Sequence, residues 1–213
     1  MPADRFDEPF EARGNEPGWL LTIDGERMAL RWNYGDDEIA VPRPRAEATP
    51  DGRRYVASGD GRELRVDVVD ALCRDDMSGM PYPSRVTVTI DGETLRGCGG
   101  APESLLTGGE WVVEDIAGRG VVDGSRVTLR FDPGGRLTGR AGCNGYGAAW
   151  KLSGEGITVE QPQATLMACA SALNRQEQEF LRLLAAAHRF EISDDGALVI
   201  HAADGLTIEA RRE

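Results

Sequence analysis

A chain of 213 residues has room for one large or two small domains, and 40% hydrophobic with 28% charged residues is ordinary globular composition. The formal net charge of -12 is spread over both halves, with 20 acidic against 13 basic side chains in residues 1–100 and 16 against 11 in residues 101–213. Neither half is basic enough to hold nucleic acid or an anionic membrane surface through Lys and Arg, and no run of 18 apolar residues reads as a membrane-crossing helix.

The opening "MPADRFDEPFEARGNEP" is rich in Pro, Asp and Glu and lacks the apolar core of a signal peptide, so residues 1–8 read as a disordered tether. The chain is then either cytoplasmic or an exported protein whose signal segment has been removed. Residues 9–100 read as a β domain of short strands: "WLLTI", "RMALRW", "RRYVAS", "ELRVDVV", "RVTVTI" and "ETLRGCG". In the fifth, Val86, Val88 and Ile90 alternate with Arg85, Thr87 and Thr89, the period-two pattern of a half-buried strand. Asp24-Gly25 and Asp91-Gly92 sit between such runs as hairpin turns, whereas "RPRAEATPDGR" has no apolar face and reads as a surface loop.

Residues 101–108, inside the glycine-bounded "GGAPESLLTGG", read as a linker. From 109 to 213 the strand pattern resumes in "EWVVEDI", "RVTLRF", "RLTGRAG" and "AAWKLSG", and it closes on "HRFEIS", "ALVIHA" and "LTIEARR". Between them "NRQEQEFLRLLAAAH" switches to helical spacing, with Phe180, Leu184 and His188 four apart. Asn174 and Glu177 have the spacing of an N-cap and capping box, and His188 reads as a partner of the helix C-terminal dipole. The expected fold is mainly β: two small antiparallel domains, the second with one helix packed on its sheet.

Cys73 and Cys98 fall in the first half and Cys143 and Cys169 in the second, 25 and 26 positions apart. None forms C-x-x-C, and the two histidines, His188 and His201, lie far from any cysteine in sequence, so no zinc pattern is present. Two disulfides, one per half, fit this pairing better than four thiols of a cytosolic protein.

The series "GGEWVVEDIAG", "TLRFDPGGRLTGRAGCNGYGAAW", "QATLMACA", the "EQEFLRLL" helix and "ALVIHAADGLTIEAR" resembles the META domain, the family that includes the bacterial HslJ heat-shock lipoprotein. Its most specific piece is G-x-x-G-C-N, here Gly139 to Asn144, followed by the Thr-x-Met-Ala-Cys segment from Thr165 to Cys169. The first half resembles a family of uncharacterised bacterial envelope proteins found beside META domains. The marks are "ARGNEPGW" at residues 12–19, the C-x-D-x-M-S element of "CRDDMSGMPYP" at 73–83, and "GCGG" at 97–100, although Gly18 stands where that family has an aromatic residue. These resemblances imply a Gram-negative envelope protein, periplasmic or held at the outer membrane by a lipid on its full-length precursor, and associated with stress and antibiotic tolerance. They imply no reaction and no cofactor.

Binding of an envelope protein or a small ligand, without catalysis, is therefore the expected role. The first candidate surface is the 73–83 loop, with Asp75, Asp76, Met77, Ser78 and Tyr82, together with Trp19. Carboxylates suit calcium and the thioethers of Met77 and Met80 suit cuprous copper, so no single metal fits and none is assigned. The plainer reading is a tight turn with Met77 buried, and with Trp19, Trp32, Trp111 and Trp150 serving as core. Arg13, Asn15 and Glu16 read as a strand bulge before Pro17.

For Cys143 to act as a nucleophile it needs a base or a positive field, which its glycine-rich surroundings do not offer in sequence. The structural reading pairs Cys143 with Cys169, with Asn144 bonding to local main chain. No catalytic residue is assigned, and G-x-S-x-G, H-E-x-x-H and P-loop patterns are absent. Two alternatives stand beside this reading. One is an inhibitor of a basic hydrolase such as c-type lysozyme, from the acidic charge and Ser58-Gly59 in "RYVASGDG". The other is a thiol-dependent enzyme using Cys143 or Cys73.

Overall fold

The computed structural model describes residues 9–154 and 156–213, so the tether expected over residues 1–8 lies outside the described residues. The chain divides between Pro102 and Glu103 into two compact units.

The first unit contains β1 (Phe10–Asn15), β2 (Gly18–Ile23), β3 (Arg27–Trp32), β4 (Asp37–Pro42), β5 (Glu47–Thr49), β6 (Gly52–Gly59), β7 (Arg62–Val69), β8 (Cys73–Arg74), β9 (Pro81–Tyr82), β10 (Ser84–Ile90) and β11 (Glu93–Gly99). Nine of these form one antiparallel sheet in the order β4-β3-β2-β1-β11-β10-β7-β6-β5, and β8 and β9 pair as a small hairpin within the β7–β10 connection. The alternation read from the sequence governs which face is buried. Leu64, Val66 and Val68 of β7 and Val86, Val88 and Ile90 of β10 point inward, while their neighbours face outward. Side chains from β1 to β4, β6, β7, β10 and β11 meet in one apolar cluster, each large aliphatic group contributing roughly 1.5–3 kcal/mol by leaving water. The sheet therefore curls around its own core, and Val41 of β4 packs where Gly59 of β6 lacks a side chain.

Asp91 and Gly92 join β10 to β11 with φ of 52° and 82°, the left-handed pair that a two-residue hairpin needs. At the other expected hairpin, Asp24 Oδ1 accepts from Glu26 N at 2.8 Å and Arg27 N at 2.7 Å, which makes the turn three residues long. The stretch expected as a surface loop contains β5, paired along β6. Its residues are largely exposed, so pairing there leaves no hydrophobic pattern to read. β1 and β4 are further strands outside the sequence reading, each with only two buried apolar side chains.

The second unit opens with α1 (Glu103–Leu106) and continues through β12 (Glu110–Ile116), β13 (Arg126–Asp132), β14 (Arg136–Gly142), β15 (Gly145–Ser153), β16 (Gly156–Val159), β17 (Gln163–Ala164), α2 (Ser171–Ala185), β18 (Ala187–Ile192), β19 (Leu198–Ala202) and β20 (Thr207–Arg212). Residues 103–106 of the expected linker form α1 in this unit. Leu106 is fully buried, Trp111 Nε1 donates to Leu106 O at 2.8 Å, and Arg212 lies over the Trp111 ring while donating to Leu105 O and Thr107 O. The strands run β16-β15-β14-β13-β12-β20-β19-β18, with β17 added on β15. The two ends of this series approach each other. Gly156, at φ 132°, lies so close to His188 O that no β-carbon fits, which brings β16 against β18.

α2 carries Phe180, Leu183 and Leu184 into the core, where the Phe180 ring meets Tyr146 edge-on at 5.5 Å. The helix begins at Ser171, three residues before the expected Asn174 cap, and its N-cap Ala170 makes no side-chain capping bond. Glu177 does not close a capping box, because its carboxylate is taken by Asn144. His188 is an exposed residue of β18 and not a helix-end cap, since the chain turns into strand at Ala187.

Candidate functional site

In the first unit the structure joins two motifs that are distant in sequence. Asn15, at the end of β1, donates from Nδ2 to Asp75 Oδ1 at 2.9 Å and also to Asp76 Oδ1. Asp75 Oδ2 further accepts from Ser78 N at 2.7 Å and Ser78 Oγ at 2.6 Å, and the same Ser78 hydroxyl accepts from Met80 N. Burial raises the Asp75 carboxyl, but the hydrogen bonds from Ser78 and Asn15 outweigh it and hold the group below its ordinary value. Cys73, at the base of the loop, is bonded to Cys98 of β11 with Cα atoms 5.5 Å apart.

Beneath this loop Trp19 is a core residue, 5% exposed, whose ring fills the space left by Gly14 and Gly97 and whose Nε1 donates to Arg96 O at 3.2 Å. Gly18, where an aromatic residue was expected, is covered by the ring of Tyr34. Within the loop Met77 is exposed where burial was expected. Met80 is buried and Met77 is 78% exposed, because Met77 sits at the tip of the turn that Asp75 closes. Tyr82 pairs with Cys73 in the small hairpin.

In the second unit Cys143 is bonded to Cys169, with Cα atoms 6.5 Å apart. Asn144, 3% exposed, donates from N and Nδ2 to the two oxygens of Glu177, both at 3.0 Å. Its Oδ1 accepts from Thr165 Oγ1 and Met167 N, both at 2.8 Å. Its main-chain O accepts from Ala141 N at 2.8 Å, a local bond as expected, and its side chain adds bonds reaching 21 to 33 residues along the chain. Nearby, Tyr146 donates its hydroxyl to Thr128 O, and burial pushes that phenol far up from its usual range.

The residues of this hub, Gly139 to Asn144 and Thr165 to Cys169, lie within a match to the META domain family that spans residues 104–213, just over half of the chain. The chain belongs to the META domain family. No curated protein matches the chain. Two solution structures are similar to it: a protein from Burkholderia xenovorans, 22% identical with a TM-score of 0.44 over 52% of this chain and 86% of that one, and a second protein, 21% identical with a TM-score of 0.45 over 53% and 96%.

Within the META domain the hub holds out an apolar tip. Leu166 is 99% exposed and Met167 56% exposed, although Thr165, Met167 and Cys169 on either side are fixed to Asn144 and Cys143. His201 bonds to Glu191 at 2.9 Å, away from the hub in sequence and on β19. Outside the META domain, Ser58 and Gly59 are the last paired residues of β6, opposite Glu63 and Arg62, and Asp60-Gly61 alone form the exposed turn. The part that sequence reading missed is pairing at long range. Asn15 and Asp75 were both noticed, as were Asn144 and Glu177, but nothing in the spacing connects partners 60 or 33 residues apart.

Proposed function

We propose that this META protein is a non-catalytic binding protein of an oxidising cell-envelope compartment, acting in stress tolerance by holding an envelope protein or small ligand. The supporting observation is how the two stapled corners are built. Their polar groups and sulfurs are engaged inward, while Met77 in one unit and Leu166 with Met167 in the other are left facing solvent on stapled loops. Ordering a loop before it binds removes part of the entropic cost of association, so a fixed apolar tip is suited to capture.

The test places a photo-crosslinking residue at Leu166, at Met77 and, as a control, at exposed Glu160, in cells of the native host. Discrete adducts at the first two positions and none at the third are expected. Equal labelling at all three, or none at any, would contradict the reading.

A further inference from the structure

A cleft of about 330 Å³ in the META domain lies between α2 and the loop that follows β12. Its apolar lining is Ile116, Val121, Val122 and Ala172, and its rim carries Arg119 and Arg175. The wall is fixed from both sides. Asp115 accepts from Gly118 N and Gly120 N, each at 2.6 Å, while Gln176 accepts from Val122 N at 2.5 Å and donates to Ser125 Oγ at 3.1 Å. These bonds order the loop's backbone and tie its Val122 end to the helix.

Several arginines of the unit are engaged away from the cleft, although Arg136 and Arg140 share with the rim arginines the lack of an ion pair among the described residues. Arg126, Arg130, Arg182 and Arg211 are all in ion pairs, and Arg212 is bonded to main chain. Among the described residues, Arg119 and Arg175 form no ion pair or side-chain hydrogen bond. Glu179, which also borders the cleft, is held below the usual carboxylate range by its hydrogen bonds from Arg182, with Arg119 adding only through space. No acidic residue stands in the first turn of α2, so nothing there offsets the positive end of the helix. Two guanidinium groups that form no side-chain hydrogen bond, beside a preformed apolar cleft whose one acidic neighbour, Glu179, is paired with Arg182, match a ligand with one anionic head and one apolar tail.

We propose that this cleft binds a medium-chain fatty acid, the tail lying along Val121 and Ile116 and the carboxylate meeting Arg119 and Arg175. The volume is sufficient for one short chain. The inference deepens the reading of the chain as a binding protein but does not depend on its compartment or on the exposed loops. A failure here and a failure of the crosslinking test are therefore separate results.

The experiment is a two-dimensional NMR titration of the oxidised full chain with decanoate, decanol and acetate. Decanoate is expected to shift amides of residues 116–122 and 172–179 in a saturable way below about 1 mM, with decanol about tenfold weaker and acetate without effect. The double variant Arg119→Gln, Arg175→Gln is expected to lose about tenfold in affinity while its spectrum elsewhere stays unchanged, since both side chains are exposed. Val121→Asp, which places a like charge on the apolar wall, should also lose binding. Absence of saturable shifts, equal affinity for decanol, equal affinity for acetate, or full affinity in the double variant would each overturn the proposal.

Discussion

Asn144 ties three segments together through side-chain and main-chain atoms that are almost wholly out of water. Replacing it with alanine keeps the main-chain bond from residue 144 to Glu177 but removes the Nδ2 bond to that carboxylate and takes the shared acceptor from the Thr165 hydroxyl and the Met167 amide. Hydrogen bonds to a charged group are worth about 1.5–3 kcal/mol, so Asn144→Ala is expected to cost about 3 kcal/mol and lower the thermal transition of the META domain by roughly 10 °C. A transition shifted by less than about 2 °C would show that water or a neighbour replaces the hub. In the other unit, Asp75 is held below its unfolded value by Ser78 and Asn15. The stability it confers is therefore complete above its unfolded pKa, near 4, and is lost as pH falls through the lower folded value. NMR titration of the carboxyl carbon should show Asp75 ionising below an ordinary aspartate, and Asn15→Ala should move it back up. A midpoint at or above the ordinary value in the parent protein would contradict the bonding described for the loop.

Secondary structure was legible where one face of an element is buried and hidden where it is not. β7 and β10 alternate cleanly because both pack on the core, and the Asp91-Gly92 turn announces itself because few other residues adopt its φ values. β5 is exposed on both faces and could not be read. The start of α2 was misplaced because Asn174 and Glu177 satisfy a local capping rule that tertiary contacts override. Asn144 captures Glu177, and Asn174 Nδ2 turns back to Cys169 O. Sequence spacing gave the disulfide pairs one to each half, and the structure joins them so, but the partners of each loop lay outside any local pattern. The Cys143–Cys169 link closes a separation of 26 residues, and on the chain-entropy account its loss costs about 3 kcal/mol. Cys143→Ser with Cys169→Ser is expected to lower stability by that order and to make the Leu166–Met167 bond the first site of limited proteolysis. Unchanged protease resistance would mean that Asn144 alone fixes the segment.

Each unit of the molecule closes an apolar core and adds a single covalent tie at a surface loop: Cys73 to β11, and Cys143, in the turn after β14, to Cys169 at the entry of α2. Domains of about 100 residues can bury enough surface to fold without such ties. The staples thus act mainly on the loops, which is where the account places binding. They also make the account depend on an environment that keeps sulfurs oxidised. The most direct measurement is a non-reducing peptide map of the protein taken from its native host with free thiols blocked at lysis. Cys73 joined to Cys98 and Cys143 joined to Cys169 are expected in nearly all molecules. Four blocked, unlinked thiols would contradict this, returning the chain to a reducing compartment and reopening thiol chemistry at Cys143.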